Sequence, residues 1–142
     1  MRLIMDPLKI GGLTASLPVV QGGMGIGISL SGLASAVANQ GGIGVIAAAG
    51  IGMLERDGRI NYRQACIRRL RQEIRLARSQ TNGILSVNIM VALTNFEELV
   101  KTAIEEGIDI IFAGAGIPFD LPQLIPKSRK TKLVPIISSR SE

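Results

Sequence analysis

The sequence of 142 residues contains no histidine, no tryptophan and a single cysteine, Cys66. Without histidine the chain lacks the side chain that most often transfers protons near neutral pH, and no Ser-His or Cys-His pair can form. One cysteine excludes an internal disulfide and a zinc site built from several cysteines, so we expect a cytoplasmic protein. Because Cys66 falls on the apolar stripe of a predicted helix, we interpret it as inert core.

Charged side chains are absent from Ile10 to Leu54. Polar residues and glycines interrupt this stretch, and its longest part without a polar side chain, residues 41–54, is shorter than the about 18 residues that a membrane-spanning helix needs. At the start of the chain, Asp6 and Lys9 interrupt the apolar core that a secretory signal requires. We therefore expect neither a membrane segment nor an export signal.

Aromatic residues number only four, whereas arginine is frequent and the net charge is +5. The arginines cluster in one segment: Arg59, Arg63, Arg68, Arg69, Arg71, Arg75 and Arg78. A basic run can bind phosphates, but nucleic-acid binding of this kind also uses interleaved aromatic side chains, and only Tyr62 is present here. We interpret the segment as a solvated outer helix face and expect no nucleic-acid partner. Four carboxylates on a later helix are likewise interpreted as solvated surface: Glu97, Glu98, Glu105 and Glu106.

Short runs rich in Val and Ile alternate with longer segments of helical periodicity. The predicted strands are residues 18–21, 43–48, 84–88, 108–112 and 133–137. The predicted helices are residues 31–40, with a face of Leu33, Ala34, Val37 and Ala38, residues 61–79, a helix from a capping box at residues 94–97 to Gly107, and a short turn near residues 121–125. A hairpin is predicted at residues 10–13, where Gly11 and Gly12 supply the positive φ angles of a two-residue turn.

Continuous apolar strands separated by helices are typical of a parallel sheet covered by helices, so the fold class is α/β with one domain over residues 1–142. Periodicity alone leaves open whether the sheet is doubly wound or part of a barrel. A relaxed dinucleotide fingerprint at residues 42–47 leads into a strand instead of following one, which argues against a Rossmann fold.

Each predicted strand is followed by a loop of glycines or small polar residues, namely residues 22–27, 47–50, 88–90, 114–118 and 138–139. In a parallel α/β protein these loops lie together at the carboxyl ends of the strands, where binding sites form. Glycines let a flat heterocycle approach the backbone closely, although any single run is also consistent with a tight turn. Asn88 offers a donor and an acceptor to a ligand, or caps the following turn.

Four motifs together resemble nitronate monooxygenases, formerly called 2-nitropropane dioxygenases. They are Pro-Val-Val-Gln-Gly-Gly-Met-Gly at residues 18–25, Gly-Gly-Ile-Gly-Val-Ile at 41–46, Val-Asn-Ile-Met at 87–90 and Ala-Gly-Ala-Gly-Ile-Pro at 113–118. Flavin-dependent enoyl-acyl-carrier-protein reductases share much of this pattern. The resemblance implies an FMN-binding TIM barrel that oxidises alkyl nitronates or nitroalkanes with O2, of which this chain is the N-terminal portion with about five strands.

The same resemblance implies a cofactor site without a metal. Its residues in this chain are Gln21, Gly22, Gly23 and Met24 in the loop that holds the isoalloxazine through backbone contacts, Asn88 with its side chain on the flavin, Gly114, Ala115 and Gly116 near the ring, and Ser138 after the fifth strand. The family's catalytic histidine, in an Ala-Gly-Gly-His type motif, and its phosphate-binding loops have no counterpart here. We therefore expect no catalytic residue in these 142 residues and an inactive, truncated or split enzyme.

Two further functions stay open. The chain is compatible with an enoyl-acyl-carrier-protein reductase that uses a nicotinamide donor, or with a non-catalytic half barrel that binds flavin or a partner chain. Because a partial parallel sheet exposes the backbone of its last strand, we expect a homodimer, a complementing C-terminal polypeptide or poor solubility.

Overall fold

The computed structural model of the chain describes residues 5–116, 121–126 and 130–139. Its elements in chain order are β1 (Leu8–Ile10), β2 (Leu13–Ala15), α1 (Ser31–Asn39), β3 (Ile43–Ala47), a 3-10 helix (Ile51–Leu54), α2 (Tyr62–Gln80), β4 (Ile84–Met90), α3 (Phe96–Glu105), β5 (Ile110–Gly114), α4 (Leu121–Leu124) and β6 (Lys132–Pro135). The α/β class is confirmed, and so is the predicted alternation of helices and strands from α1 to β6.

The main sheet has four parallel strands in the order β3-β4-β5-β6, so every strand pairs with its neighbour in sequence. A doubly wound sheet reverses its strand order at a switch point, whereas a barrel wall continues in one direction. The order therefore settles the alternative that periodicity left open, and the chain forms part of a (β/α) barrel. Within the register, Ala47 pairs with Asn88 and Met90 with Gly114, which brings the carboxyl ends of β3, β4 and β5 to one rim.

Two apolar clusters lie on opposite faces of this sheet. The larger one joins the outer face of the strands to α1, α2 and α3, through side chains such as Ile46, Val87 and Leu70. At Gly44 a Cβ atom would collide with the backbone oxygen of Ala34 in α1. The missing side chain lets α1 lie directly on β3.

The smaller cluster fills the inner face with Val45, Ile110 and Phe112, and the β1–β2 hairpin packs against it. The predicted hairpin is confirmed: Ile10 pairs with Leu13 across a two-residue turn. Of the two turn glycines only Gly11 has a positive φ, +57°. The hairpin thus closes the inner side of the sheet at the amino ends of the strands.

The arginine-rich helix α2 is joined to α3 by ion pairs, and Arg63, Arg68 and Arg75 stay exposed, which agrees with its interpretation as a solvated outer face. The α2–α3 pairs are Arg63–Glu98, Arg71–Glu105, Arg71–Glu106 and Arg75–Glu106, and Arg78 pairs with Asp109 just beyond α3. Glu106 is correspondingly well buried, with a side chain only 12% exposed, so its interpretation as solvated surface was wrong. Apart from Glu73, which pairs with Arg69 on the same helix, the acidic partners of these arginines lie outside the segment from Arg59 to Arg78.

Several predicted details were also wrong. The capping box is not formed, because α3 begins after Asn95 and has no side-chain hydrogen bond at its cap. On α1 the buried residues are Ser31, Ala34, Ser35 and Ala38, while Leu33 is exposed. The predicted strand at residues 108–112 is displaced by two residues to Ile110–Gly114, and the one at 133–137 ends at Pro135.

Candidate functional site at the strand carboxyl ends

The loops that follow the strands contact one another at a single rim, as the sequence predicted. A Cβ atom on Gly23 would meet Asn88, and one on Gly25 would lie 2.7 Å from the backbone oxygen of Ala49. On the other side, Val91 N donates to Gly114 O at 2.7 Å. These contacts join the loops after residues 21, 47, 90 and 114 into one continuous surface.

The predicted first strand at residues 18–21 is reduced to one parallel bridge between Val20 and Ile43. Beyond it, the Gln21 side chain continues the pairing in place of the backbone: its Nε2 donates to Val45 O and its Oε1 accepts from Val45 N, both at 3.0 Å. This amide is therefore committed to β3. Because Gln21 N also donates to Ile43 O at 3.1 Å, only the carbonyl oxygen of Gln21 is left to serve the predicted cofactor site.

Ser29 organises the loop that begins at Gly22. Its Oγ donates to Gly22 O and accepts from Met24 N, each at 3.0 Å, while its own backbone N donates to Met24 O at 2.9 Å. Both backbone groups of Met24 are thus used inside the loop, and its contact with a ring stays a prediction. The N–H groups of Gly22 and Gly23 donate to no other described residue and stay available to a ligand.

Gly23 lies against Asn88, the residue that pairs with Ala47 and Phe112 in the middle of the sheet. A Cβ atom on Gly23 would lie 2.6 Å from the Asn88 Cβ, which only glycine avoids. Among the described residues, the Asn88 side-chain amide has no hydrogen-bond partner, although it is half-buried. The alternative in which Asn88 caps the following turn therefore has no support from its contacts, and its donor and acceptor stay open toward the rim.

The loop after β5 adds a third side to the site. Gly114 is buried, and a Cβ atom there would meet Ile136 at 3.1 Å. Ala115 has a positive φ of 56°, a conformation that costs a non-glycine residue of order 1 kcal/mol or more and is found at ligand sites. Gly116 touches Val91 in the neighbouring loop. Residues 117 and 118 of the motif lie outside the described residues.

Ser138 is exposed and lies three residues after the end of β6. It lies two residues after Ile136, the residue in contact with Gly114. Its role as a cofactor ligand stays a prediction.

The chemistry of the rim is set by what its loops carry. Residues 22–28, 47–50, 88–91 and 114–116 contain no acidic, basic, tyrosine or cysteine side chain. They offer backbone N–H groups, one amide side chain and apolar surface, including the exposed side chains of Met24 and Met90. Such a surface can hold a flat heterocycle by hydrogen bonds and apolar contact, but these loops cannot themselves transfer a proton.

The sequence profile of the family described as nitronate monooxygenase matches residues 6–137. The chain belongs to this family. Among solved structures, FabK from Thermotoga maritima is similar to the chain, with 30% sequence identity over 87% of it and a TM-score of 0.66. A point-mutant form of the same FabK is similar with 28% identity over 84% and a TM-score of 0.63. The likeness to FabK agrees with the relation that the shared motifs indicated.

The chain spans only 35% of the length of either FabK structure. No curated protein matches it. None of the helices in the described part of the chain is long and apolar enough to cross a membrane.

The rim fits an isoalloxazine ring on two observations. Because Gly23 has no Cβ atom, the space beside Asn88 that such an atom would fill is left open. The free N–H groups of Gly22 and Gly23 suit the electron-rich oxygens and nitrogens of the ring. A flavin bound there would be held by Gly22, Gly23 and Asn88, with Gly114 and Ala115 on the neighbouring loop.

Proposed function

We propose that the chain is part of an FMN-dependent oxidoreductase that oxidises alkyl nitronates with molecular oxygen. One observation carries the proposal: the unpartnered amide of Asn88 lies directly beside Gly23, at a rim of glycine loops. Membership of the nitronate monooxygenase family and the order of the four motifs support it. When bound, the flavin supplies the electron transfer, and the protein supplies its position and hydrogen bonds.

The rim loops have no proton-transferring side chain, so we propose that the base that would deprotonate a nitroalkane to its nitronate comes from another part of the barrel. Asn88 would orient the ring by its edge, because an amide offers a donor and an acceptor at once. The loop at Gly22 and Gly23 would support one face with backbone N–H groups. The apolar side chains around it would exclude water.

Titration of the chain with FMN, followed by flavin fluorescence and the visible spectrum, tests the cofactor part. We expect a spectral shift on binding, and we expect Asn88→Ala to weaken binding about tenfold, since one or two good hydrogen bonds contribute about 1–2 kcal/mol. Asn82→Ala, at an exposed asparagine of the turn before β4, serves as the matched control. Equal affinity of the two variants would remove Asn88 from the site.

The second candidate is a flavin-dependent enoyl-thioester reductase, favoured by the likeness to FabK at 30% identity. The FMN-loaded chain is tested for oxygen uptake with an alkyl nitronate and, separately, for NADH oxidation with an enoyl thioester. Turnover in the first assay supports the nitronate oxidase and turnover in the second supports the reductase. Flavin binding with neither activity agrees with a chain that holds the cofactor while the groups that react lie in another part of the barrel.

A further inference from the structure

We infer that Ser29 and Glu73 are positioning residues that hold the glycine loop in its ring-binding shape, Ser29 from the residue that follows the loop and Glu73 from the outer helix α2. The inference rests on the proposed flavin site. Neither residue belongs to the four family motifs described above, and neither lies on the rim loops that would contact a ring.

Ser29 is 1% exposed and uses all its polar groups within the fold. Besides the three bonds to Gly22 and Met24, its backbone oxygen accepts from Ala47 N at 2.9 Å. One residue therefore closes the loop on itself and fastens it to the end of β3. Removal of this buried hydroxyl would break both of its hydrogen bonds, the one it donates to Gly22 O and the one it accepts from Met24 N, and so loosen the loop.

Glu73 is a carboxylate only 3% exposed, and a buried charge needs partners. Its Oε1 accepts from Arg69 Nε at 2.9 Å and Arg69 Nη2 at 2.8 Å, and its Oε2 accepts from Ser31 N at 2.9 Å. Ser31 is the first residue of α1, which has no side-chain cap of its own at Leu30. Glu73 thus caps α1 from a different helix, where negative charge also suits the helix dipole.

Ser29 and Ser31, the two positions that are held, lie two residues apart directly after the glycine loop of residues 22–28. Ser29 is fixed to Gly22, Met24 and β3, and Ser31 is fixed to α2. At the other end of the loop, the Gln21 side chain is hydrogen-bonded to Val45. The backbone of residues 22–28 is therefore held at both ends. A loop so rich in glycine would otherwise sample many conformations, and ordering it on binding would weaken the affinity for a ligand.

Hydrogen exchange of the whole chain, read by mass spectrometry in the peptide that covers residues 22–29, tests the inference without any ligand. We expect Ser29→Ala to speed exchange in this peptide about tenfold, and FMN affinity to fall by about the same factor. Glu73→Met is expected to act in the same direction. Glu73→Gln, which keeps an oxygen for Ser31 N, is expected to restore much of the protection.

Ser35→Ala is the matched control. Ser35 is also buried on α1 and its hydroxyl bonds to Gly32 O and Gln80 Oε1, away from the loop. Ser35→Ala is expected to lower the free energy of unfolding without changing hydrogen exchange at residues 22–29. The inference is overturned if Ser29→Ala and Ser35→Ala give the same exchange in that peptide, or if Ser29→Ala speeds exchange equally throughout β4. Failure of the wild-type chain to bind FMN would refute the proposed function, while the exchange comparison would still decide the positioning role.

Discussion

At the scale of single residues, the contact between Gly23 and Asn88 makes a sharp prediction. Gly23→Ala would force a Cβ atom into Asn88, at a distance of 2.6 Å before any relaxation. We expect FMN affinity to fall at least tenfold and stability to fall by about 1–3 kcal/mol, the usual cost of overpacking. Flavin titration and urea unfolding measure the two effects.

Gly22→Ala is the control for that variant, because a Cβ atom on Gly22 has no neighbour within 4 Å. Its φ is not in the left-handed region, so alanine is compatible with the backbone. Flavin affinity close to that of the wild-type chain is expected. A loss as large as that of Gly23→Ala would mean that backbone freedom, and not the contact with Asn88, explains the effect.

The positions of the rim residues could be predicted from sequence, but their hydrogen bonds could not. Glycines after apolar strands are visible as a pattern, and parallel strands bring their carboxyl ends together. The Gln21 amide is hydrogen-bonded to Val45, and Ser29 Oγ to Met24 N. These bonds join residues 24 and 5 positions apart and depend on side-chain geometry. A serine at the end of a glycine loop is the one signal that could have drawn attention to Ser29.

At the scale of secondary structure elements, Gly44 controls the packing of α1 on β3. A Cβ atom there would collide with Ala34 O, a backbone atom that can move only with its helix. We expect Gly44→Ala to lower the free energy of unfolding by about 2–3 kcal/mol, measured by urea denaturation.

Gly32→Ala on the same helix is expected to do the opposite. Gly32 is exposed, a Cβ atom there meets nothing within 4 Å, and alanine in a helix is more favourable than glycine by about 0.5–1 kcal/mol. If both variants destabilise the protein equally, close packing of α1 on β3 is not the reason for Gly44.

The ion pairs between α2 and α3 predict a pH dependence. The hydrogen bond from Arg75 lowers the pKa of Glu106, burial opposes this shift, and the charges of Arg75 and Arg71 add to the lowering. A depressed pKa in the folded state means that the stabilisation is fully present above the unfolded pKa of about 4.3 and is lost as the pH falls through the lower folded pKa.

We therefore expect Glu106→Gln to be less stable than the wild-type chain at neutral pH and to approach it in acid. Urea unfolding across this pH range measures the difference. Glu97→Gln, at an exposed carboxylate on the first turn of α3, is the control. A stability difference for Glu106→Gln that does not change with pH would contradict the ionic origin of the effect.

Among the elements, the sequence predicted long apolar strands and helices well and their ends poorly. The predicted strand at residues 18–21 contains Val19 and Val20, which are typical of a strand, yet only one bridge forms. The reason is that the side chain of Gln21, and not a following backbone group, forms the hydrogen bonds to Val45. The capping box at residues 94–97 failed because α3 begins one residue later than the motif requires. Local patterns could not reveal either event.

At the scale of the whole molecule, the sheet has two open sides within the described residues. Val20 lies 42% exposed along one side, and Ile136, which follows β6 on the other, is 52% exposed. Unpaired strand edges with apolar side chains invite pairing with another chain. We propose that the chain associates through these sides, either with a second copy or with a polypeptide that supplies further barrel strands.

Analytical ultracentrifugation over a range of concentrations tests self-association. We expect species larger than a monomer, and we expect Ile136→Lys to shift the distribution toward monomer, because a charge at this position opposes burial. Ile60→Lys, at a side chain that is 93% exposed before α2, should leave the distribution unchanged. A wild-type chain that stays monomeric at all concentrations would refute the self-association arm.

The β1–β2 hairpin packs against the inner face of the sheet and also covers the amino ends of its strands. Its turn at Gly11 lies against the Lys132 side chain at the start of β6, so that a Cβ atom on Gly11 would come within 2.9 Å of Lys132 Cε. The hairpin therefore lies across the amino ends of the strands and reaches β6, the last strand described. A ligand would therefore reach the glycine loops from the carboxyl ends of the strands or from the open sides of the sheet, and not past the amino ends of the strands.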